Sequence, residues 1–365
     1  MPESTTENSE DDVFDYDGYL LFNRVFTTEL IEEAKDMQNT VYIRRGIENH
    51  LTGEIESDGV LKSGYDDIDL TDFITDTAKN ALDGQISSLF ENVVGKRFFR
   101  ETKGGEEEVI LDDETRDVVT SIEKNNAYLY WTGRGIGNTD GLLIVQGSKD
   151  NANTAESDIV GRFGKDVGPT PDLRLNPVKF DQHFFLWLFY KSFESSRTET
   201  NIKIKDIKKI RLSGNEDFYG EEMELTNSVN MLRSTPLIEG LLKNKLPVTI
   251  EATFDLGDDS VVANISEEGR VHVKSEQYIE SLDKSGRIGV AIKFVRDFTS
   301  LYNSWKFYKQ ERKYVPPSFA EKLDKNASDQ NVDINFRREL VTELLENRGE
   351  EIEDWDLDFS SEDEN

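Results

Sequence analysis

The residues in this chain with the best claim to chemistry are Glu101, Thr102 and Lys103, which follow the run Arg97-Phe98-Phe99-Arg100, with Asp83 upstream. An Asp followed by Glu-x-Lys on a strand is how many nucleases hold magnesium and activate water. Glu-x-Lys begins at Glu33, Glu101 and Glu311, about as often as composition alone would produce it. The first and third lie in helical text.

Histidine offers less. There are three, His50, His183 and His272, and none forms an i, i+4 pair of the kind that grips zinc. Asp181 and His183 open an apolar helix, so Asp181 is expected as its cap and His183 as a polar boundary residue. His272, in Val271-His272-Val273, is expected on the polar face of a strand. No Gly-x-Ser-x-Gly occurs. No motif calls for a cofactor or a resident metal.

The stretch YWTGRGIGNTDGLLIVQG, 130–147, has four glycines in nine residues. A dinucleotide loop needs a strand, Gly-x-Gly-x-x-Gly and then a helix whose N-terminus meets the pyrophosphate. Here Gly133, Gly135 and Gly137 are followed by a second strand-like run. The spacing predicts a wide hairpin loop instead.

Two basic segments stand out in an acidic chain. Lys203, Lys205, Lys208, Lys209 and Arg211 oppose only Asp206, and strict alternation in Ile-Lys-Ile-Lys would put lysines on one strand face. A second segment, 284–314, includes Lys293, Arg296 and Lys306 among aromatics. Phosphate pairing with nearby aromatic rings is what single-stranded nucleic-acid grooves use. At 100° per residue, however, Ala291, Phe294, Val295, Phe298, Leu301, Tyr302, Trp305 and Tyr308 share one helical face, which reads as core. In the C-terminal stretch EDWDLDF, Trp355, Leu357 and Phe359 alternate with aspartates. Such a tail suits a partner's groove, a basic patch on its own chain, or no docking at all.

The elements that must position these residues follow from periodicity. Residues 1–14 and 348–365 read as disordered acidic tails. Residues 1–20 hold seven acids and no base, and 349–365 nine acids and no base, within a net charge of −31. This acidity fits high-salt adaptation as well as ordinary solubility, and it repels nucleic acid except at a local basic surface. Residues 15–125 read as mainly helical, with helices from Thr28 to about 50, from about 70 to 94 and over 113–124; Tyr16–Phe26 alone reads as a strand or docking arm. Residues 126–280 read as β-rich, with strands at 127–133, 141–147, 202–205 and a meander over 246–274. Helices over 180–193 and about 229–243 interrupt them. Residues 281–347 read as helical again. The expected fold class is therefore α+β: a helical N-terminal region, a mainly antiparallel β region with inserted helices, and a helical C-terminal region.

With no cysteine, disulfide and thiol chemistry are excluded. The N-terminus has no secretory signal, and the longest apolar run, Phe184–Tyr190, is too short to span a bilayer, so the expectation is a cytoplasmic protein without membrane attachment. The leading functional expectation is a non-catalytic binding or assembly protein. Its basic segments would contact nucleic acid or a protein that handles it. The alternative is a magnesium-dependent nuclease using Asp83, Glu101 and Lys103.

Overall fold

A computed structural model describes residues 19–28, 42–43, 62–68, 93–110, 116–133, 141–163, 175–194, 198, 202–217, 220–226, 234, 237, 240–241, 245–256, 260–274, 284–316, 318–319, 322, 325, 338, 341–342 and 344–350. Its strands are β1 (Tyr19–Thr28), β2 (Tyr42–Ile43), β3 (Lys62–Ile68), β4 (Val93–Ile110), β5 (Arg116–Gly133), β6 (Gly141–Gln146), β7 (Asn176–Pro177), β8 (Lys203–Asp217), β9 (Gly220–Thr226), β10 (Leu246–Asp255), β11 (Ser260–Ser266) and β12 (Val271–Lys274). The helices are α1 (Lys149–Phe163), α2 (Gln182–Glu194), α3 (Lys284–Lys306) and the short α4 (Gln310–Lys313). All strands join one 12-stranded antiparallel sheet, in the order β2-β3-β4-β5-β6-β1-β12-β11-β10-β8-β9, with β7 paired to β1.

This corrects the expected fold class. The N-terminal region is not helical: its described residues supply β1 to β4 and the start of β5. The helix expected over 113–124 is strand from Arg116 onward, paired with β4 through the register Thr120↔Glu106 to Asn125↔Arg100. Val118, Val119, Thr120 and Ile122 are β-branched and favour a pleated surface over a helix. The helix expected over 70–94 ends instead on strand residues Val93 and Val94, and Thr28, Tyr42 and Ile43 are strand as well. The remainder of those two stretches lies outside the described residues.

Other elements match their periodicity. β5 and β6 form the hairpin expected around the glycine-rich stretch, with Gly133 opposite Gly141; its connection, 134–140, lies outside the described residues. β10, β11 and β12 are the expected meander. Asp181 caps α2, its Oδ1 accepting from the His183 backbone N–H at 2.8 Å. His183 is half-buried beside Tyr314.

β1 joins the two halves of the sheet. Its first residues pair with β12 and its later ones with β6. The register shifts at Asn23, whose side-chain amide donates to the Gly147 carbonyl. That bulge lets Phe22 and Val25, three apart, face the same core.

The core has two parts. α2 and α3 cover one face of both half-sheets. There, Phe184 meets Trp305 at 5.3 Å, Phe180 meets Phe298 at 5.3 Å, and Phe254 meets Phe294 at 5.0 Å. The opposite face of the N-terminal half-sheet is covered by α1, through Ala152, Ala155 and Ile159 against Phe26, Leu129, Trp131, Leu143 and Val145. β6 is thus buried on both faces. Among the described residues, nothing covers the corresponding face of β8 to β12. No described helix is long and apolar enough to cross a membrane.

Candidate functional site

The uncovered face of β8–β12 is polar because alternation leaves it so. On β10, Ile250, Ala252 and Phe254 point into the core, and Thr249, Glu251, Thr253 and Asp255 point out. On β8, Ile204, Ile207 and Ile210 all face the core although they are three apart. The register against β10 slips once between Ile204 and Asp206 and once between Ile207 and Lys209. Each bulge absorbs one residue, Lys205 and Lys208, and returns the next isoleucine inward.

Register then lines up cross-strand rows on the outer face. One runs Glu224, Arg211, Thr249, Ser266. The next runs Thr226, Lys209, Glu251, Asn264, His272. Between these rows and the β11–β12 turn lies a cavity of about 350 Å³, lined by Lys209, Arg211, Arg270, Thr249 and Asn264 as well as acidic residues of β9 and the turn. Arg211 Nε and Thr249 Oγ1 are buried there with no hydrogen-bond partner among the described residues. Thr249 itself is only 7% exposed. Such atoms carry a desolvation cost of about 1–3 kcal/mol until something bonds to them.

The charges are mixed. Lys209 pairs with Glu224 at 2.7 Å, Arg211 with Glu222 at 3.4 Å, and Lys205 with Asp255 at 3.2 Å. Lys203 stands opposite Asp255 on β10. Glu251 accepts from Lys274 at 2.7 Å and from Asn264 at 3.3 Å. Burial alone would raise its pKa, but these bonds and the charges of Lys274 and Lys209 outweigh burial and lower it. His272 is pushed below its ordinary 6.5 by burial first, then by Lys274 and Arg270.

The sign for His272 is clear. Its folded pKa lies below its unfolded value, so the unfolded chain binds the proton first as pH falls. The neutral imidazole's contribution is complete above about pH 6.5 and is lost as pH drops through the folded pKa. Urea titrations at pH 7 and pH 5 are expected to show a smaller loss of stability for His272→Gln than for the parent. Equal losses would remove this account.

The second basic segment lies elsewhere. Lys293 and Arg296 both bind Asp297, at 2.9 and 3.1 Å, along α3. Lys306 sits 4.5 Å over the Tyr302 ring. Trp305 and Phe298 of the same helix are fully buried and Tyr302 nearly so, as their spacing predicted. Because α3 packs on the covered face, the sheet stands between it and Lys209 and Arg211, and the two basic segments do not converge. Trp355, Leu357, Phe359 and Asp83 lie outside the described residues. Glu101 and Lys103 both lie on β4. Among the described residues no three His, Asp or Glu side chains gather as a metal site would need.

Sequence reasoning found the cations of β8 but missed Arg270, Thr249, Asn264 and Glu251. Thr249, Asn264 and Glu251 reach the site through strand register and Arg270 through the β11–β12 turn, neither of which local spacing encodes. Nor do relatives supply the missing signal: no protein-family model matches the chain, and no curated protein matches it.

Proposed function

We propose that this chain is a non-catalytic binding or assembly protein of the cytoplasm. Its recognition surface is the uncovered face of β8–β12, and it contacts the phosphates of a nucleic acid there. One observation carries the reading: among the described residues no helix packs on the outer, mostly polar face of β8–β12, where Arg211 Nε and Thr249 Oγ1 are buried beside a cavity with no hydrogen-bond partner among those residues.

The physical case rests on exchangeable pairs. The carboxylates held by Lys209 and Arg211 are about half exposed, and exposed pairs are worth only about 0–1 kcal/mol. A phosphate can therefore replace them at small cost and also bond the buried Arg211 Nε, in the charge-assisted geometry guanidinium favours. At physiological salt, charges beyond about 8 Å are screened, so the repulsion a phosphate meets comes mainly from the carboxylates of the cavity wall itself, Glu222, Glu224, Glu267 and Glu268. The outer rows hold no aromatic side chain other than His272. Contact would thus run through phosphates and be independent of base sequence.

The experiment is fluorescence anisotropy with a labelled single-stranded oligonucleotide, DNA and RNA in turn, at about 0.15 M salt. Lys203→Glu, Lys209→Glu and Arg211→Glu combined are expected to weaken binding at least about tenfold, with a shallower salt slope. Lys293→Glu with Arg296→Glu, behind the sheet, is expected to leave it unchanged. A β8 variant that binds like the parent would overturn the proposal.

A further inference from the structure

The end of α3 and the turn into α4 form a second surface, on the covered side of the sheet and distinct from the one above. Its chemistry is cations laid over aromatic rings. Lys306 lies over Tyr302 at 4.5 Å, Arg312 over Tyr308 at 4.7 Å and Lys313 over Trp305 at 4.6 Å. Lys309 stands at the start of α4. Phe307, next to Lys306 in the chain, is 89% exposed, and among the described residues no other large apolar side chain is exposed. Lone exposed apolar residues are common, but one on a segment whose cations lie over aromatic rings has the character of a docking surface.

The chain itself is brought to this surface at its other end. Arg348 Nη1 donates to the carbonyls of Glu311 at 2.6 Å, Tyr314 at 3.0 Å and Val315 at 3.4 Å, and its Nε donates to Glu350 Oε1 at 3.0 Å. Gly349 has φ +75° and lies against Gln310, where an added Cβ would meet the side-chain Oε1 at 3.0 Å. Residue 350 is therefore held beside α4, and residues 351–365 start from there. They carry eight acids and no base, with Ile352, Trp355, Leu357 and Phe359 among them.

We propose that residues 351–365 dock on this surface of their own chain. Trp355, Leu357 or Phe359 covers Phe307, and the intervening carboxylates pair with Lys309 and Lys313. Reach is ample, since nine residues from Glu350 to Phe359 span up to about 30 Å extended, whereas a four-residue helix is about 6 Å long. The tether supplies a millimolar-range local concentration. Contacts that would be weak between separate molecules suffice within one chain. Charge complementarity selects the occupant: an acidic segment alternating with apolar groups matches a basic surface centred on a phenylalanine.

The absence of cysteine makes the test clean. Phe307→Cys, at an exposed position, and Phe359→Cys are introduced together in the full chain. Oxidation by copper–phenanthroline in dilute solution is followed on non-reducing gels. The control pairs Phe307→Cys with Ser9→Cys, in the other acidic terminus. An intramolecular disulfide forming at least tenfold faster in the first pair than in the control is expected; because tethering alone also favours the first pair, the deciding result is that adding Lys309→Glu and Lys313→Glu slows it at least about threefold, and an unchanged rate overturns the proposal. Equal rates in the two pairs overturn the proposal. So does cross-linking that is only intermolecular, which would assign the surface to a second copy of the chain.

Discussion

Gly269→Ala lowers the stability of the fold by about 3–5 kcal/mol and the melting temperature by roughly 10 °C. Gly269 has φ +81°, in the left-handed region where a Cβ is strained whatever its surroundings. Here the surroundings also forbid it. An added Cβ would lie 2.1 Å from the Val178 carbonyl oxygen and 3.2 Å from the Val178 carbonyl carbon. These are backbone atoms, and they cannot step aside. Val178 N–H donates to Val25 O at 2.8 Å, and Phe180 N–H donates to Glu267 O at 2.8 Å. The clash therefore falls between two hydrogen-bonded backbones at the point where β1, the β11–β12 turn and the approach to α2 meet.

Gly105→Ala is the matched control, because nothing lies within 4 Å of a Cβ added there. It is expected to change stability by no more than about 0.5 kcal/mol. Thermal unfolding of the two variants beside the parent decides the matter; a Gly269→Ala protein melting within a few degrees of the parent would show that Val178 can move. Gly269 also shapes the turn that carries Glu267, Glu268 and Arg270 into the cavity wall. The same substitution is expected to weaken any ligand held there before it unfolds the sheet.

The legible parts of this fold were those where one period runs uninterrupted. The aromatic stripe of α3 and the meander β10–β12 could be read because a single face repeats every 3.6 or every 2 residues. α1 could not, because its buried stripe is only Ala152, Ala155 and Ile159 in an otherwise polar helix. Two alanines make a weak periodic signal. The long β4–β5 hairpin was hidden differently. Its outer part carries Glu106, Glu107 and Glu108 opposite Thr120, Val119 and Val118, so acidic and β-branched residues lie in different strands and only pairing reveals them as one sheet. Bulges hid a third feature. Ile204, Ile207 and Ile210 carry a near-helical spacing, and only the register slips at Lys205 and Lys208 make it a strand. The candidate site shares this logic. Lys209 and Arg211 were visible as charge, whereas Thr249 comes from another strand and Arg270 from the β11–β12 turn, and they meet through topology.

Trp305→Ala is expected to cost about 3–5 kcal/mol, the usual range for removing a fully buried large aromatic ring. Trp305 is 0% exposed, with Phe184 at 5.3 Å and Tyr302 at 6.0 Å. Its indole N–H donates to the Lys313 carbonyl at 2.7 Å, and the Lys313 ammonium lies over its ring. Truncation thus opens a cavity between α2 and α3 and also removes one of the anchors of the end of α4, the other being Arg348. Trp305→Phe separates the two effects: it keeps an aromatic ring and loses the donor, for about 1–2 kcal/mol. Urea unfolding of both variants supplies the comparison, and equal costs for Ala and Phe would mean that the hydrogen bond, not the ring, holds the helix end. The two surfaces should respond differently. Loss of the Lys313 anchor disturbs the setting of Phe307 and so slows cross-linking to the tail. Oligonucleotide binding on the outer face of β8–β12, measured well below the melting temperature, stays at the parent's level, because the sheet separates that face from α3. A loss of both together would mean that the sheet transmits what happens in the α2–α3 core, and the two sites would then have to be treated as one.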